Sequence, residues 1–495
     1  MAYEPERGQI LSLGGHNSPA VLSSGKFAMR MIPTGKSHAG LKWNRLSWLT
    51  ITGPAGIALA ATAGAVSASS SAPSGQLIAL LLITTVTVGF SLICPVHVLP
   101  TAALIAYVVL PQHAIGYVRG AAPAAVLLTL WAVRRFGETH PPRAGMGDNL
   151  MRAGGLAVGA WGLTLLTLFE NGVQREASSI WLVAFALGVL IPLLQVTDTS
   201  RETQLLWRVW PILTILVACY MLAEFALQAN LIYDSLYSVQ GRPLAQTWSV
   251  YRSHGPFGHP LYAATFFAAS TAAALGRQIS QGRGSLLWFV AGSIGLLTTF
   301  SRGALLALAV AAVAMLLAAL ALGVRRTGLV PIYTQLFVGA SVVAVTGLIQ
   351  SRANSAEARI SASVRSEVFA GAVKAAEYTG WRGSGAATSD LTVKSAAALP
   401  YLLENSALQI GVSLGVIGLA GFTLIIAGGL VAAVAGRNIA AIGALVAFVV
   451  AIIGYNAIES IFSLMAFLGV ILVAARAPVE MTSSNLATTS RISPV

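Results

Sequence analysis

Residues 284–324 read GSLLWFVAGSIGLLTTFSRGALLALAVAAVAMLLAALALGV, and Arg302 is the only charged residue among these 41. A single helix of that length would extend about 60 Å, twice the ~30 Å hydrocarbon core of a bilayer. The stretch therefore predicts two membrane spans that turn back at Arg302. Because a guanidinium keeps its proton even where it is poorly hydrated, an arginine at such a turn is a candidate functional residue.

The composition is that of a polytopic membrane protein. Hydrophobic residues make up 56% of the chain and charged residues only 9%, which excludes an ordinary soluble globular protein. The net charge of +13 does not indicate a nucleic-acid partner, since no basic stripe with interleaved aromatic residues accompanies it. Cys94 and Cys219 both fall in apolar spans, so the sequence predicts no disulfide framework, no metal site and no cofactor.

Apolar segments predict an all-α membrane bundle of about 14 transmembrane helices, within a range of about 12 to 14. The third and fourth segments are short and contain Pro100 and Pro123, so they are expected to be broken or re-entrant. The twelfth is long enough for its first turns to project beyond the membrane. The segments lie at 46–68, 76–94, 98–112, 120–134, 153–170, 179–196, 208–228, 259–276, 285–300, 303–324, 328–349, 406–434, 438–455 and 457–475.

The basic residues predict an orientation with both termini in the cytoplasm. Clustered pairs such as Arg134–Arg135 and Arg325–Arg326 fall in alternate loops, and basic residues hold short loops on the cytoplasmic side. Residues 1–45 are expected to form a disordered basic cytoplasmic tail, 46–204 the N-terminal transmembrane helices, 205–475 a second membrane region, and 476–495 a cytoplasmic C-terminal tail. Two long loops, 229–258 and 350–405, fall outside, and the second has a helical pattern that predicts a partly helical cap.

Several arginines fall on the predicted outer side, although basic residues usually lie in cytoplasmic loops. Arginine forks bind phosphate oxygens bidentately, so this set predicts a polyanionic ligand. The alternative for Arg302 is snorkelling, with its head among lipid phosphates. His254 is expected either to bind phosphate or to be solvated, and His259 either to join the site or to fill an interface. The outer arginines that carry the hypothesis are Arg119, Arg252, Arg302 and Arg365.

Glu404 stands where the chain re-enters the membrane, followed by Asn405 and by 31 residues without a charge. Two interpretations stay open. An acid near a helix start favours the helix dipole and would act in capping, whereas a carboxylate opposite arginines suits a general base for a hydroxyl group. Glu224 and Glu459 lie within or at the ends of spans, where each is expected to pair with an arginine or to line a hydrophilic path.

Three segments together resemble the O-antigen ligase and polymerase superfamily of polysaccharide assembly. Thr298–Leu308 is similar to its Ser-Arg-Gly signature, and Arg252 with Gly255–Leu261 is similar to its Arg- and Gly-Phe-containing start of a span. Arg365, Gly380–Gly385 and Glu404–Gly418 resemble the end of its signature region. The resemblance covers roughly residues 205–475.

The resemblance implies a helical glycosyltransferase of the type C-like fold in the bacterial cytoplasmic membrane, acting at the outer face. Its donor would be an oligosaccharide on undecaprenyl pyrophosphate, and its acceptor a glycan or a lipid-linked glycan. Arg252, Arg302 and Arg365 would hold the pyrophosphate, and Glu404, at the position of the family's histidine, would activate the acceptor hydroxyl for inverting attack. The further candidates are His254, His259 (where the family often has Asn), Arg119 and Asn405.

The implied activity is most simply polymerisation of repeat units of an exopolysaccharide or O-antigen. The alternative is a ligase that transfers the glycan to a lipid core, a protein or another surface acceptor. A more distant alternative is a transporter or flippase for the lipid-linked glycan, which predicts charges deep in several spans and pseudo-repeats. Membrane lipids, a chain-length regulator and a flippase are the expected partners.

Overall fold

The computed structural model describes residues 85–110, 122–136, 145–168, 172–195, 198–238, 250–281, 285–323, 356–397 and 403–477. All belong to one compact unit, and the described residues are helical with no strand. Residues 85–93 are helical, and the helices that follow are numbered from there. They are α1 Leu99–Val109, α2 Pro123–Phe136, α3 Met146–Thr167, α4 Val173–Leu194, α5 Ser200–Leu227, α6 Tyr233–Ser238, α7 Pro260–Gln281, α8 Leu286–Thr298, α9 Arg302–Ala321, α10 Ala356–Tyr378, α11 Ser389–Ala397, α12 Ser406–Ser413, α13 Gly415–Ala435, α14 Ile439–Ile453 and α15 Ser463–Ala475.

The predicted all-helical fold is confirmed for the described residues, and their long apolar helices are compatible with a multi-pass membrane protein. Within the described part of the chain, α3, α4, α5, α9 and α13 are long and apolar enough to cross a membrane, and α1, α8, α14 and α15 are shorter apolar helices. The total of about fourteen spans stays a prediction, as does the orientation. The predicted spans 46–68 and 328–349, the predicted N-terminal tail and residues 478–495 of the predicted C-terminal tail lie outside the described residues.

The helix α5 connects the two ends of the bundle. Near its start Glu202 accepts hydrogen bonds from Arg135 Nε at 2.9 Å and from Trp131 Nε1 at 3.2 Å. Glu224 lies 22 residues later in the same helix, which at 1.5 Å per residue is about 33 Å, close to the thickness of a hydrocarbon core. We call the two ends the basic end and the Glu224 end.

At the basic end, arginines donate to main-chain carbonyl oxygens that lack intrahelical partners. The helix end leaves some of them free, whereas Trp207 O in α5 lacks one because Pro211 has no N–H. Arg476 donates to the carbonyl oxygens of Pro192, Leu193 and Gln195, each at 3.0 Å, and its Nε lies 3.0 Å from Asp148 Oδ1. Arg277 donates to Trp207 O at 2.9 Å. These loops are the ones that the sequence assigns to the cytoplasmic side.

Close helix packing in the bundle depends on small residues. α7 is buried along almost its whole length, between α8, α9 and α14. α3 packs most extensively on α13, where a Cβ added at Gly154 would lie 2.4 Å from Gly421 O and one at Gly428 would lie 2.6 Å from Gly147 O. Small residues at helix interfaces are the usual means of close approach in membranes.

The segment predicted as one long span at 406–434 is two helices, so that prediction was wrong in its continuity. α12 ends at Ser413 and α13 begins at Gly415, whose φ is +64°. A left-handed residue cannot continue an α-helix, and glycine adopts it without steric cost. The last predicted span also begins later than expected, at Ser463, because residues 454–462 form a buried non-helical connection.

The cap predicted between 350 and 405 is partly helical, with α10 and α11 in it. Its turn at Gly383–Gly385 docks on the break between α12 and α13 through main-chain bonds. Ser384 N donates to Val412 O at 3.1 Å and Gly385 N to Ser413 O at 2.8 Å, while Val416 N donates to Trp381 O at 3.1 Å. A Cβ on Gly383 or Gly415 would lie within 2.6 Å of backbone atoms across this junction.

Candidate functional site

The loop that carries Arg252 packs against the turn that leads into Arg302. Arg252 is buried, and its Nε donates to Thr299 O at 2.8 Å. Ser253 N donates to Thr298 O at 3.1 Å. Arg302 follows three residues later as the first residue of α9, where it is exposed. The two arginines that the sequence singles out therefore lie at the same end of the bundle.

The turn before Arg302 has a strained backbone. Phe300 has a φ of +50°, which is uncommon for a bulky residue and is retained where the surroundings enforce it. Its ring packs on Phe225 of α5, with ring centroids 5.7 Å apart. Ser301 then caps α9, since its Oγ accepts a hydrogen bond from Ala304 N at 3.3 Å. This turn fixes the direction in which α9 presents Arg302.

Glu224 holds the Arg252 loop from the other side. Its side chain is fully buried near the end of α5. Its Oε1 accepts from Tyr251 OH at 3.1 Å and from His254 N at 3.0 Å, and its Oε2 accepts from Gly255 N at 2.8 Å. The same Oε1 lies 3.1 Å from His254 Nδ1. One carboxylate thus gathers three donors and an imidazole from residues 251–255.

His254 is therefore buried against Glu224 rather than solvated. Burial and the neighbouring carboxylate also raise the pKa of Tyr251 well above its ordinary value, because both disfavour the phenolate. Gly255, whose φ is +54°, lets the loop turn toward α7. Asn230 Nδ2 donates to Gly255 O at 3.0 Å, and Tyr237 OH donates to Pro256 O at 3.0 Å. The first outer loop predicted from the sequence thus folds onto this site.

His259 lies at the end of the Arg252 loop and leads into α7. Its Nδ1 accepts from Leu261 N at 3.2 Å, and its ring lies 4.9 Å from that of Tyr262. Tyr262 packs on Tyr455 with ring centroids 5.6 Å apart. Ser406, the first residue of α12, donates its hydroxyl to Tyr455 O at 2.9 Å. These contacts join the end of the Arg252 loop, where His259 lies, to the start of α12.

Glu404 and Asn405 lie at the start of α12 in different roles. Asn405 is the N-cap, because its Oδ1 accepts from Ala407 N and Leu408 N, both at 3.0 Å. Glu404 is exposed and lies one residue before the cap, outside the first turn of the helix. Asn405 therefore caps α12, and the interpretation of Glu404 as the capping residue was wrong.

Of the two remaining predicted site residues, the structure describes one. Arg365 lies within α10, and Arg119 lies outside the described residues. In the chain segments that are described, no group of three or more His, Cys, Asp or Glu side chains could hold a metal ion.

Glu459 is the second buried acid at this end of the protein. It lies in the 454–462 connection, where its Oε2 accepts a hydrogen bond from Ser389 Oγ of α11. Burial raises the pKa of Glu459 to about 7, although hydrogen bonds from Ser389 and Ser413 oppose the shift. The sequence predicts that Glu224 and Glu459 each pair with an arginine or line a hydrophilic path. The partners that the structure gives them are hydroxyl, backbone and imidazole groups.

A scan against models of known protein families finds no match for this sequence, and neither does a search of curated proteins. The resemblance to the O-antigen ligase and polymerase superfamily therefore stays a prediction from the sequence motifs.

Proposed function

We propose that this protein is a membrane glycosyltransferase that takes a glycan from an undecaprenyl pyrophosphate donor at the outer face of the cytoplasmic membrane. The observation that carries the proposal is the shared position of Arg252 and Arg302. One guanidinium is buried and bonded to the turn that presents the other. Arginines so placed suit a pyrophosphate better than an isolated snorkelling arginine does, because two planar forks match its oxygens.

The reaction needs a base for the acceptor hydroxyl and cations for the leaving pyrophosphate, and the motifs supply candidates for both. The acceptor hydroxyl oxygen attacks the anomeric carbon and forms the new glycosidic bond, while the bond from that carbon to the pyrophosphate oxygen breaks. The hydroxyl proton passes to Glu404 as general base. The leaving pyrophosphate keeps the electron pair, and Arg252, Arg302 and Arg365 stabilise its charge. We favour polymerisation of lipid-linked repeat units, with transfer to a lipid core or another surface acceptor as the alternative.

Substitution of Arg302 by lysine tests the donor site. We expect Arg302→Lys to reduce product at least about 100-fold, because a lysine retains the charge but cannot bind bidentately. Product is measured by gel analysis of surface glycans, and protein accumulation by immunoblot of membranes. Arg201→Lys is the matched control, since Arg201 is also an exposed arginine at the start of a helix, α5. Normal glycan in Arg302→Lys would refute the phosphate role.

Deletion of the gene distinguishes the two forms of the activity. Loss of a polymerase leaves single repeat units on their final acceptor, whereas loss of a ligase leaves polymer on the lipid carrier. A deletion strain whose surface glycans and lipid-linked intermediates are both unchanged would contradict the proposed function as a whole.

A further inference from the structure

One face of α12 is polar and fully enclosed. Ser406, Gln409 and Ser413 are spaced three and four residues apart, which places them on one side of the helix. All three side chains are buried. In a protein whose helices are otherwise so apolar, a buried polar face needs a partner of matching chemistry.

The 454–462 connection runs along that face. At one end Ser406 Oγ accepts from Ala457 N at 2.9 Å, and at the other end Ser413 lies close enough to the carboxylate of Glu459 to lower its pKa. Ser389 bonds the same carboxylate from α11. Gln409 lies between Ser406 and Ser413 and therefore faces the same connection. We call Gln409, Ser413, Glu459 and Ser389 the Gln409 cluster.

Gln409 has an unmet capacity for hydrogen bonds. Its side chain is completely buried, and neither its Nε2 nor its Oε1 has a hydrogen-bond partner within the described part of the chain. Leaving a buried amide unpaired is costly, and a leucine of similar size would avoid that cost. A polar residue retained at such a position indicates a ligand that completes its hydrogen bonds.

We propose that the Gln409 cluster binds hydroxyl groups of the acceptor sugar, an inference that rests on the proposed glycosyltransferase function. An amide offers a donor and an acceptor side by side, which match two neighbouring sugar hydroxyls, and a carboxylate accepts from a third. A site built this way discriminates strongly for hydroxyl groups, because its own polar atoms stay unpaired otherwise. Ser406 and Tyr455 connect the cluster to α7, which follows the Arg252 loop in the chain.

The test uses Gln409→Leu in the full-length protein in nanodiscs. Saturation-transfer NMR measures the dissociation constants of methyl glycosides of glucose, galactose and N-acetylglucosamine for the wild type and for Gln409→Leu. For at least one of these sugars, we expect the dissociation constant to rise about tenfold or more in Gln409→Leu. That rise corresponds to the loss of one or two hydrogen bonds. The melting temperature should stay equal or increase, since the unpaired amide is removed. A purely structural role predicts the reverse, a lower melting temperature with unchanged sugar binding.

Gln278→Leu is the matched control. Gln278 is also a buried glutamine, with an unpartnered Oε1, but it lies in α7 near the basic end. It should leave sugar binding unchanged. No sugar binding by the wild type, or equal binding by wild type and Gln409→Leu, would overturn the inference.

Binding of undecaprenyl pyrophosphate separates this inference from the proposed function. If that lipid binds in an Arg302-dependent way while Gln409→Leu leaves sugar binding unchanged, the acceptor site is refuted and the donor site stands. If Gln409→Leu weakens sugar binding but the lipid does not bind, the cluster is supported as a sugar site and the transferase proposal fails.

Discussion

The carboxylate of Glu224 organises the Arg252 loop more than any other single side chain described for it. It accepts three hydrogen bonds and contacts the His254 imidazole, all from residues 251–255. The sequence shows an acid near the end of an apolar span but not its partners, because these lie about thirty residues further on in a loop without periodicity. By contrast, the convergence of Arg252 and Arg302 follows the predicted topology, since both precede helices that start at one end.

Glu224→Gln should weaken donor binding by at least about tenfold. The amide would turn an NH2 group toward backbone donors that now meet carboxylate oxygens, so the loop holding Arg252 would shift. The measurement is the dissociation constant for undecaprenyl pyrophosphate in nanodiscs.

Glu202→Gln is the control for Glu224→Gln, because Glu202 is the buried acid at the basic end of the same helix. Both variants should lose stability, as expected when a buried pair is broken. Donor binding should weaken in Glu224→Gln alone. Equal donor binding by the two variants would contradict the role of Glu224 in positioning the Arg252 loop.

Glu404→Gln should abolish turnover without changing the melting temperature. The exposed carboxylate is not the cap of α12, so its loss removes the proposed base and leaves the helix start intact. Lipid-linked units should accumulate unjoined, as measured by mass spectrometry of extracted lipids.

Asn405→Ala supplies the comparison for Glu404→Gln, since it removes the actual cap and should cost about 1 kcal/mol of stability. An active Glu404→Gln protein would exclude Glu404 as the base.

At the scale of the elements, most helix positions follow from the apolar segments, because a bilayer-length apolar run has few alternatives to a helix. The break between α12 and α13 does not follow from them. Gly415 lies in an apolar run rich in glycine, and only its φ of +64° distinguishes it from glycines inside the helix. The 454–462 connection was also missed, because Ala457, Ile458 and Ile461 continue the apolar pattern of the helix that follows, despite Glu459 between them.

Gly415→Ala should undock the cap. The new Cβ would lie 2.4 Å from Arg382 C and Trp381 O, and the positive φ disfavours any residue with a Cβ. We expect a lower melting temperature and faster proteolysis between α10 and α12.

Gly411→Ala is the control for Gly415→Ala, because a Cβ there meets nothing within 4 Å and alanine favours the helix. Similar melting temperatures for the two variants would show that the junction does not hold the cap.

At the scale of the whole molecule, we expect Glu459 to contribute to the pH dependence of the protein's stability. Burial raises its pKa to about 7 from an ordinary 4.5, so between these values the folded state binds more protons than the unfolded state. Stability from this group therefore increases as the pH falls from 7 toward 4.5. The Glu459→Gln protein in detergent should lack this increase when melting curves are compared with wild type, and parallel curves would contradict the shift.

The Gly383–Gly385 turn of the cap is held on the break between α12 and α13 by peptide groups, and the indole of Trp161 donates to the carbonyl oxygen of Arg382, beside that turn, at 3.1 Å. Peptide groups are the same whichever amino acid carries them. Apart from the glycines, the exposed side chains of α10 and α11 can therefore diverge without loosening the attachment. A surface of this kind can be altered by evolution or by design for new substrates while the scaffold beneath it stays unchanged.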